Sequence, residues 1–243
     1  MSERAATRAT PPSVLSTLLA RAEAFLLEPA QEASAPPSLQ SCGPAVPPVV
    51  AVCGLRARTG ATTVARALGV ELARLDPGGA AAVSAESAPA GLPLGTAAAA
   101  RLARAASTRG GLDARASGRL CLVGPAGPAE AERALAGLAP LVIDAGPVTQ
   151  AAPAASLATA VVLVAGETDE PALAAVLAER LARVGPRPLV VLNGGGSVGE
   201  RWGGRSDVAL PRSRGCARLA AAGRPGTGPF TEAVARLASL CER

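Results

Sequence analysis

Short runs built almost wholly of aliphatic residues recur along this chain: VVAVC at 49–53, PLVID at 140–144, AVVLVA at 160–165 and PLVVLN at 188–193. A strand with one wet face alternates apolar and polar side chains, so unbroken apolar runs of this length imply burial on both faces. Helical patterns of roughly a dozen residues separate them, which is the signature of βαβ units and a mostly parallel sheet between helical layers. Strands are predicted at Val49–Cys53, Ala80–Ser84, Arg119–Val123, Leu141–Asp144, Ala160–Ala165 and Leu189–Asn193, with a short edge strand at Val208–Leu210. Helices are predicted at Thr62–Leu75, Leu94–Ala106, Pro128–Leu138, Glu170–Val184, Arg214–Ala222 and Phe230–Cys241, and the Gly- and Arg-rich segments Thr108–Ser117 and Gly194–Ser206 read as loops.

At 243 residues the chain is long enough for one such domain and an appendage. In the segment Pro12–Leu27, residues Leu15, Leu18, Leu19, Ala22, Phe25 and Leu26 fall on one helical stripe. The segment Glu28–Pro47 turns to Pro, Ser, Ala and Gln without periodicity, which is linker composition. The expected organisation is therefore an amphipathic helix over 1–28, a linker over 29–47 and an α/β domain over 48–243. The N-terminal helix either folds back on the domain's own surface or docks on a partner protein; with few basic residues beside it, a membrane surface is not expected. Phe230, Val234, Leu237 and Leu240 form a second stripe, but Glu232 and Glu242 offset Arg236 and Arg243, which favours core packing.

All 24 basic residues are arginine, since the sequence contains no lysine. The net charge of +5 attracts polyanions in general, but the arginines are spread at helical spacings beside Ala and Glu, as on a solvated face. Nonspecific DNA binding thus rests on the arginine excess alone. The five cysteines include no C-x-x-C pair and there is no histidine, which argues against a zinc site and removes every Ser/His or Cys/His nucleophile pair. Cys53 and Cys121 sit in apolar runs, where a thiol acts as a small hydrophobe. An odd cysteine count without a secretory signal points to a reducing cytoplasm, and no apolar run is long enough to span a bilayer.

Chemistry concentrates where strands end, because ligand sites in such sheets lie beyond the carboxyl edge. After the first strand comes Gly54-Leu55-Arg56-Ala57-Arg58-Thr59-Gly60-Ala61-Thr62-Thr63 and then a helical pattern. This is the layout of a phosphate-binding loop, in which backbone N–H groups cradle phosphates, a lysine reaches the terminal phosphates and Ser/Thr ligates magnesium. Ala61 stands at the lysine position. The run ending in Asp144 presents a carboxylate as a Walker B strand does, and the run ending in Asn193 presents an amide that can donate and accept, as an adenine edge requires.

A strand, GxxxxxGATT, hhhDxGP and hhhN in this order resemble the MinD/ParA family of P-loop ATPases, nearest the CpaE/TadZ-like branch in which GATT replaces GKTT. The resemblance spans about Pro48–Leu240 and implies a three-layer P-loop NTPase-like α/β fold with a mostly parallel sheet. It places the family's signature lysine, which reaches across a dimer, at Arg56, its glycines at Ala57 and Arg58, and the P-loop lysine at Ala61; Gly60 and Thr62 match as they stand. It implies ATP and Mg2+ as cofactors, held by Gly54, Arg56, Arg58, Gly60, Ala61, Thr62 and Thr63, with Asn193 and Pro211 at the base and Thr62 and Asp144 at the metal. Asp144, and Glu86 as the sole acidic candidate after the second strand, would serve catalysis.

Two readings follow. One is a MinD/ParA-like nucleotide-binding switch or localisation protein that forms a homodimer over ATP. The other is a pseudo-ATPase scaffold of the same fold, acting without nucleotide through the N-terminal helix or the sheet's outer helices. The missing lysine and substituted glycines leave ATPase activity weak or absent. No GxSxG elbow or dinucleotide fingerprint is present.

Overall fold

The computed structural model describes residues 46–85, 94–194 and 202–242. The N-terminal helix, most of the linker, Cys42 and Glu86 lie outside the described residues. Eight strands form a single sheet in the order β3-β4-β2-β5-β1-β6-β7-β8. They are β1 (Val49–Gly54), β2 (Ala80–Ser84), β3 (Ala114–Ser117), β4 (Leu120–Val123), β5 (Leu141–Pro147), β6 (Ala160–Gly166), β7 (Leu189–Asn193) and β8 (Val208–Leu210). All adjacent pairs run parallel except β3 and β4.

Successive residues of the inner strands enter two cores. Ala51, Cys53, Leu141, Ile143, Val161 and Leu163 join one, packed by α2 (Ala97–Gly110), α3 (Pro128–Leu135), the short α4 (Ala152–Ala155) and α5 (Pro171–Leu181). Val50, Val52, Val142, Val162 and Val164 join the other, under α1 (Ala61–Leu75), α6 (Arg214–Ala221) and α7 (Pro229–Cys241). Both faces are dry, so both positions of the period-two repeat are apolar. Phe230, Val234 and Leu237 of α7 are buried in the second core, as their stripe leads one to expect. No helix among the described residues is long and apolar enough to cross a membrane.

The structure departs from the sequence reading at one edge. Ala114–Ser117, expected as loop, forms β3 antiparallel to β4, with Ala116 opposite Cys121 and Gly118 at φ 55° in the two-residue turn. An edge strand has one hydrogen-bonded neighbour and an exposed side, so ARAS needs no apolar run. Helix α2 begins three residues later than expected, at Ala97, because Thr96 Oγ1 accepts from the Ala99 N–H at 3.3 Å, and it continues to a left-handed Gly111 at φ 64°.

The parallel register aligns the strand ends that carry chemistry. Asp144 of β5 stands opposite Val52 of β1 and Ser84 of β2, Gly54 opposite Val164 of β6, and Asn193 of β7 opposite Gly166 and Leu210. The connection leaving β1 therefore emerges between the ends of β5 and β6.

Candidate functional site

The turn between β1 and α1 is closed from within and braced from two other strands. The Leu55 N–H donates to Val164 O at 2.8 Å, extending the β1–β6 ladder by one residue. Buried Thr59 turns its hydroxyl back to donate to Arg56 O at 3.2 Å. At the end of β7, Asn193 Nδ2 donates to Thr59 O at 2.8 Å. Glycine is required at both ends of this turn. A Cβ on Gly54 would overlap Thr59 Oγ1 and approach Arg56 O to 2.8 Å; Gly60 has φ 88°, and a Cβ there would overlap the Asn193 amide nitrogen.

Helix α1 starts at Ala61 with Gly60 as its N-cap, no side chain capping it and no acidic residue in its first turn. Among the described residues, the backbone N–H groups of Ala57, Arg58 and Gly60 have no hydrogen-bond acceptor. An uncapped N-terminus preceded by unpaired N–H groups carries partial positive charge, a local chemistry suited to an oxyanion. Thr62 is exposed, Thr63 half-buried, and Ala61 buried with a methyl where the phosphate-loop pattern has an ammonium.

Clefts open on both sides of the turn. One, of about 680 Å3, is lined by Thr62, Ser84, Glu130, Asp144, Gly146 and Gln150 among prolines and alanines. Asp144 is half-buried there, and its Oδ1 accepts from the Gly146 N–H at 3.2 Å. The structure thus brings Thr62 and Asp144, expected as a magnesium pair, to one cavity. A hydroxyl and a carboxylate are hard oxygen donors, and magnesium commonly takes only one or two protein ligands beside phosphate and water. The donor set fits the ion. Beneath it, burial and then the Asp144 charge push the Cys53 thiol up to about 12, so this cysteine is core and not nucleophile.

The other cleft, of about 460 Å3, is lined by Arg56, Ala57, Arg58, Thr59, Asn193, Gly194 and Arg212 together with Gly166 to Asp169. Asn193, expected to present its amide to a base, directs one donor at the turn. Arg56, expected to reach towards a second subunit, is engaged within its own chain: Nε meets Asp169 Oδ1 and Nη2 donates to Thr168 Oγ1, each at 2.5 Å. Arg212, next to half-buried Pro211, pairs with Glu167 at 3.0 Å. Arg58 holds a left-handed backbone at φ 64°, a conformation that glycine adopts more readily than a residue with a Cβ.

Sequence reasoning missed Thr59, Glu167, Thr168, Asp169 and Arg212. For Glu167–Asp169 the one signal was position, since they follow the AVVLVA run after Gly166 and so lie at the carboxyl edge.

No model of a known protein family matches the sequence, and no curated protein matches it. Among solved structures, a ParA family ATPase from Chlorobium tepidum TLS superposes with a TM-score of 0.54 at 12% identity, covering 79% of this chain and 98% of that one. A nucleotide-binding protein from Archaeoglobus fulgidus in complex with ADP superposes with a TM-score of 0.44 at 14% identity, covering 75% and 89%. The second match is too loose to add to the first. At 12% identity the first establishes architecture alone: this chain folds as that ATPase does.

Proposed function

We propose that the protein is a ParA-like nucleotide-binding switch that takes ATP with Mg2+ on the turn between β1 and α1 and hydrolyses it slowly or not at all. One observation carries this reading: the turn keeps both required glycines and unpaired N–H groups, and its helix sets Thr62 on the same cleft as Asp144. Backbone N–H groups of Ala57, Arg58 and Gly60 and of the start of α1 would hold phosphate oxygens, Thr62 and Asp144 the metal, and Asn193 and Pro211 border the side where a base would lie. A bound Mg2+ would supply charge neutralisation at the phosphates. Arg56 and Arg58 stand near the turn as the cations that replace the absent lysine. A guanidinium binds phosphate in a planar fork and does not reproduce a point-charge ammonium. Homodimerisation over nucleotide and recruitment of a partner protein through the N-terminal helix belong to the same proposal.

A scaffold that ignores nucleotide is the second reading, favoured by buried Ala61 in a chain without lysine. Thermal unfolding separates them. On the switch reading, millimolar ATP with Mg2+ raises the unfolding midpoint of the wild type, and Thr62→Ala loses the metal-dependent part. A ligand at about 100 times its Kd stabilises by about 2.7 kcal/mol. An unchanged midpoint in the wild type supports the scaffold.

A further inference from the structure

Two of the three arginines lining the smaller cleft, Arg56 and Arg212, are held by carboxylates of one loop. The connection from β6 to α5 reads Gly166-Glu167-Thr168-Asp169-Glu170. Asp169 is only 5% exposed and its oxygens are divided: Oδ2 accepts from the Gly166 N–H at 2.7 Å, and Oδ1 pairs with Arg56. Thr168 takes a second Arg56 donor. Glu167 pairs with Arg212 at 3.0 Å, and the pair lies directly against Gly194.

A carboxylate fixed by its own backbone dictates where its guanidinium sits, because charge-assisted hydrogen bonds are strong and directional. Arg56 is 59% exposed at the side chain, yet its position is set by the buried partner. The same pairing neutralises the positive charge that an anion would seek. With no ammonium on the turn, Arg56, Arg58 and Arg212 are the cations lining this cleft, and two of the three are already paired.

We infer that Asp169 is a positioning residue acting through Arg56, and that the β6–α5 loop is a built-in counter-anion with which an incoming polyphosphate must compete. This rests on the nucleotide-binding reading above. Asp169 and Glu167 keep the guanidinium groups at the cleft wall, and phosphate affinity is set by how readily they are given up. Neutralising either carboxylate frees its arginine for the ligand. A purely structural role for the pairs would alter stability without an arginine-dependent change in affinity.

The test is calorimetric titration of the full chain with ATP and, separately, with inorganic tripolyphosphate, which lacks base and ribose. The proteins are wild type, Asp169→Asn and Glu167→Gln, each carboxylate variant also combined with Arg56→Ala or Arg212→Ala respectively. Asn retains an oxygen for the Gly166 N–H. Glu167→Gln is expected to bind both probes about two- to fivefold more tightly, the range set by a largely exposed pair, and Asp169→Asn about tenfold. Each gain disappears when the matching arginine is alanine. If wild type binds but the carboxylate variants bind no better, or keep the gain without the arginine, the inference is overturned and the nucleotide reading stands. Absence of binding by every protein overturns both. Should Asp169→Asn fail to fold, Glu167→Gln decides alone.

Discussion

At the scale of single residues, the turn after β1 carries strain that a glycine would relieve. Arg58 is the one non-glycine residue among those described with positive φ, at 64°. For a residue with a Cβ that conformation costs roughly 1–2 kcal/mol. Arg58→Gly is therefore expected to stabilise the fold by about 0.5–1 kcal/mol after the added freedom of the unfolded chain is subtracted, read as a raised urea midpoint. Gly60→Ala should do the opposite, losing about 2 kcal/mol or more, since φ is 88° and the new Cβ meets the Asn193 amide. Replacing Ala61 by Lys restores one charge-assisted phosphate contact, worth about 1.5–3 kcal/mol, so ATP should bind one to two decades more tightly by titration. Gly54, Gly60, Thr62 and Asp144 were readable as candidates because spacing from an apolar run fixes them at the carboxyl edge. Asp169 was not, because its meaning depends on Arg56, 113 positions earlier, which the sheet register alone brings to its side.

At the scale of elements, burial explains both what the sequence discloses and what it hides. Strands β1, β5 and β6 are dry on both faces and announce themselves as unbroken aliphatic runs. Strand β3 has one neighbour and an exposed Arg115, so nothing in its composition separates it from a loop. The ends of α2 follow from Thr96 and Gly111, cap residues that a periodicity reading ignores. The cysteines give a prediction at this scale. Burial pushes Cys53 in β1, Cys121 in β4 and Cys241 in α7 up to about 12 from an ordinary 9.0, with Asp144 and Glu242 adding to the first and last. A folded-state pKa raised in this way contributes stability that is complete below pH 9 and lost as pH climbs from 9 towards 12, because the unfolded chain releases its protons first. The slope is about 1.4 kcal/mol per pH unit for each thiol. Urea denaturation should show a fall in stability from pH 8 to pH 10 that a Cys121→Ala variant shows to a smaller degree; a pH-independent midpoint would contradict the assignment of these thiols to the core.

At the scale of the whole molecule, the sheet order places β1 between β5 and β6, so one turn is flanked by Asp144 on one side and by Asp169, Asn193 and Arg212 on the other. The architecture coincides with that of a ParA family ATPase at a TM-score of 0.54 although identity is 12%. What coincides is the architecture; the charge at this chain's turn, supplied by arginines held by an acidic loop and by no lysine, departs from the phosphate-loop pattern. Calorimetric titration of the purified chain with ATP, with and without Mg2+ and beside Asp144→Ala, addresses that difference most directly. Micromolar to millimolar binding that strengthens with Mg2+, and loses that dependence in Asp144→Ala, is the predicted result. Absence of binding at millimolar ATP, or binding indifferent to both Mg2+ and Asp144, would contradict it.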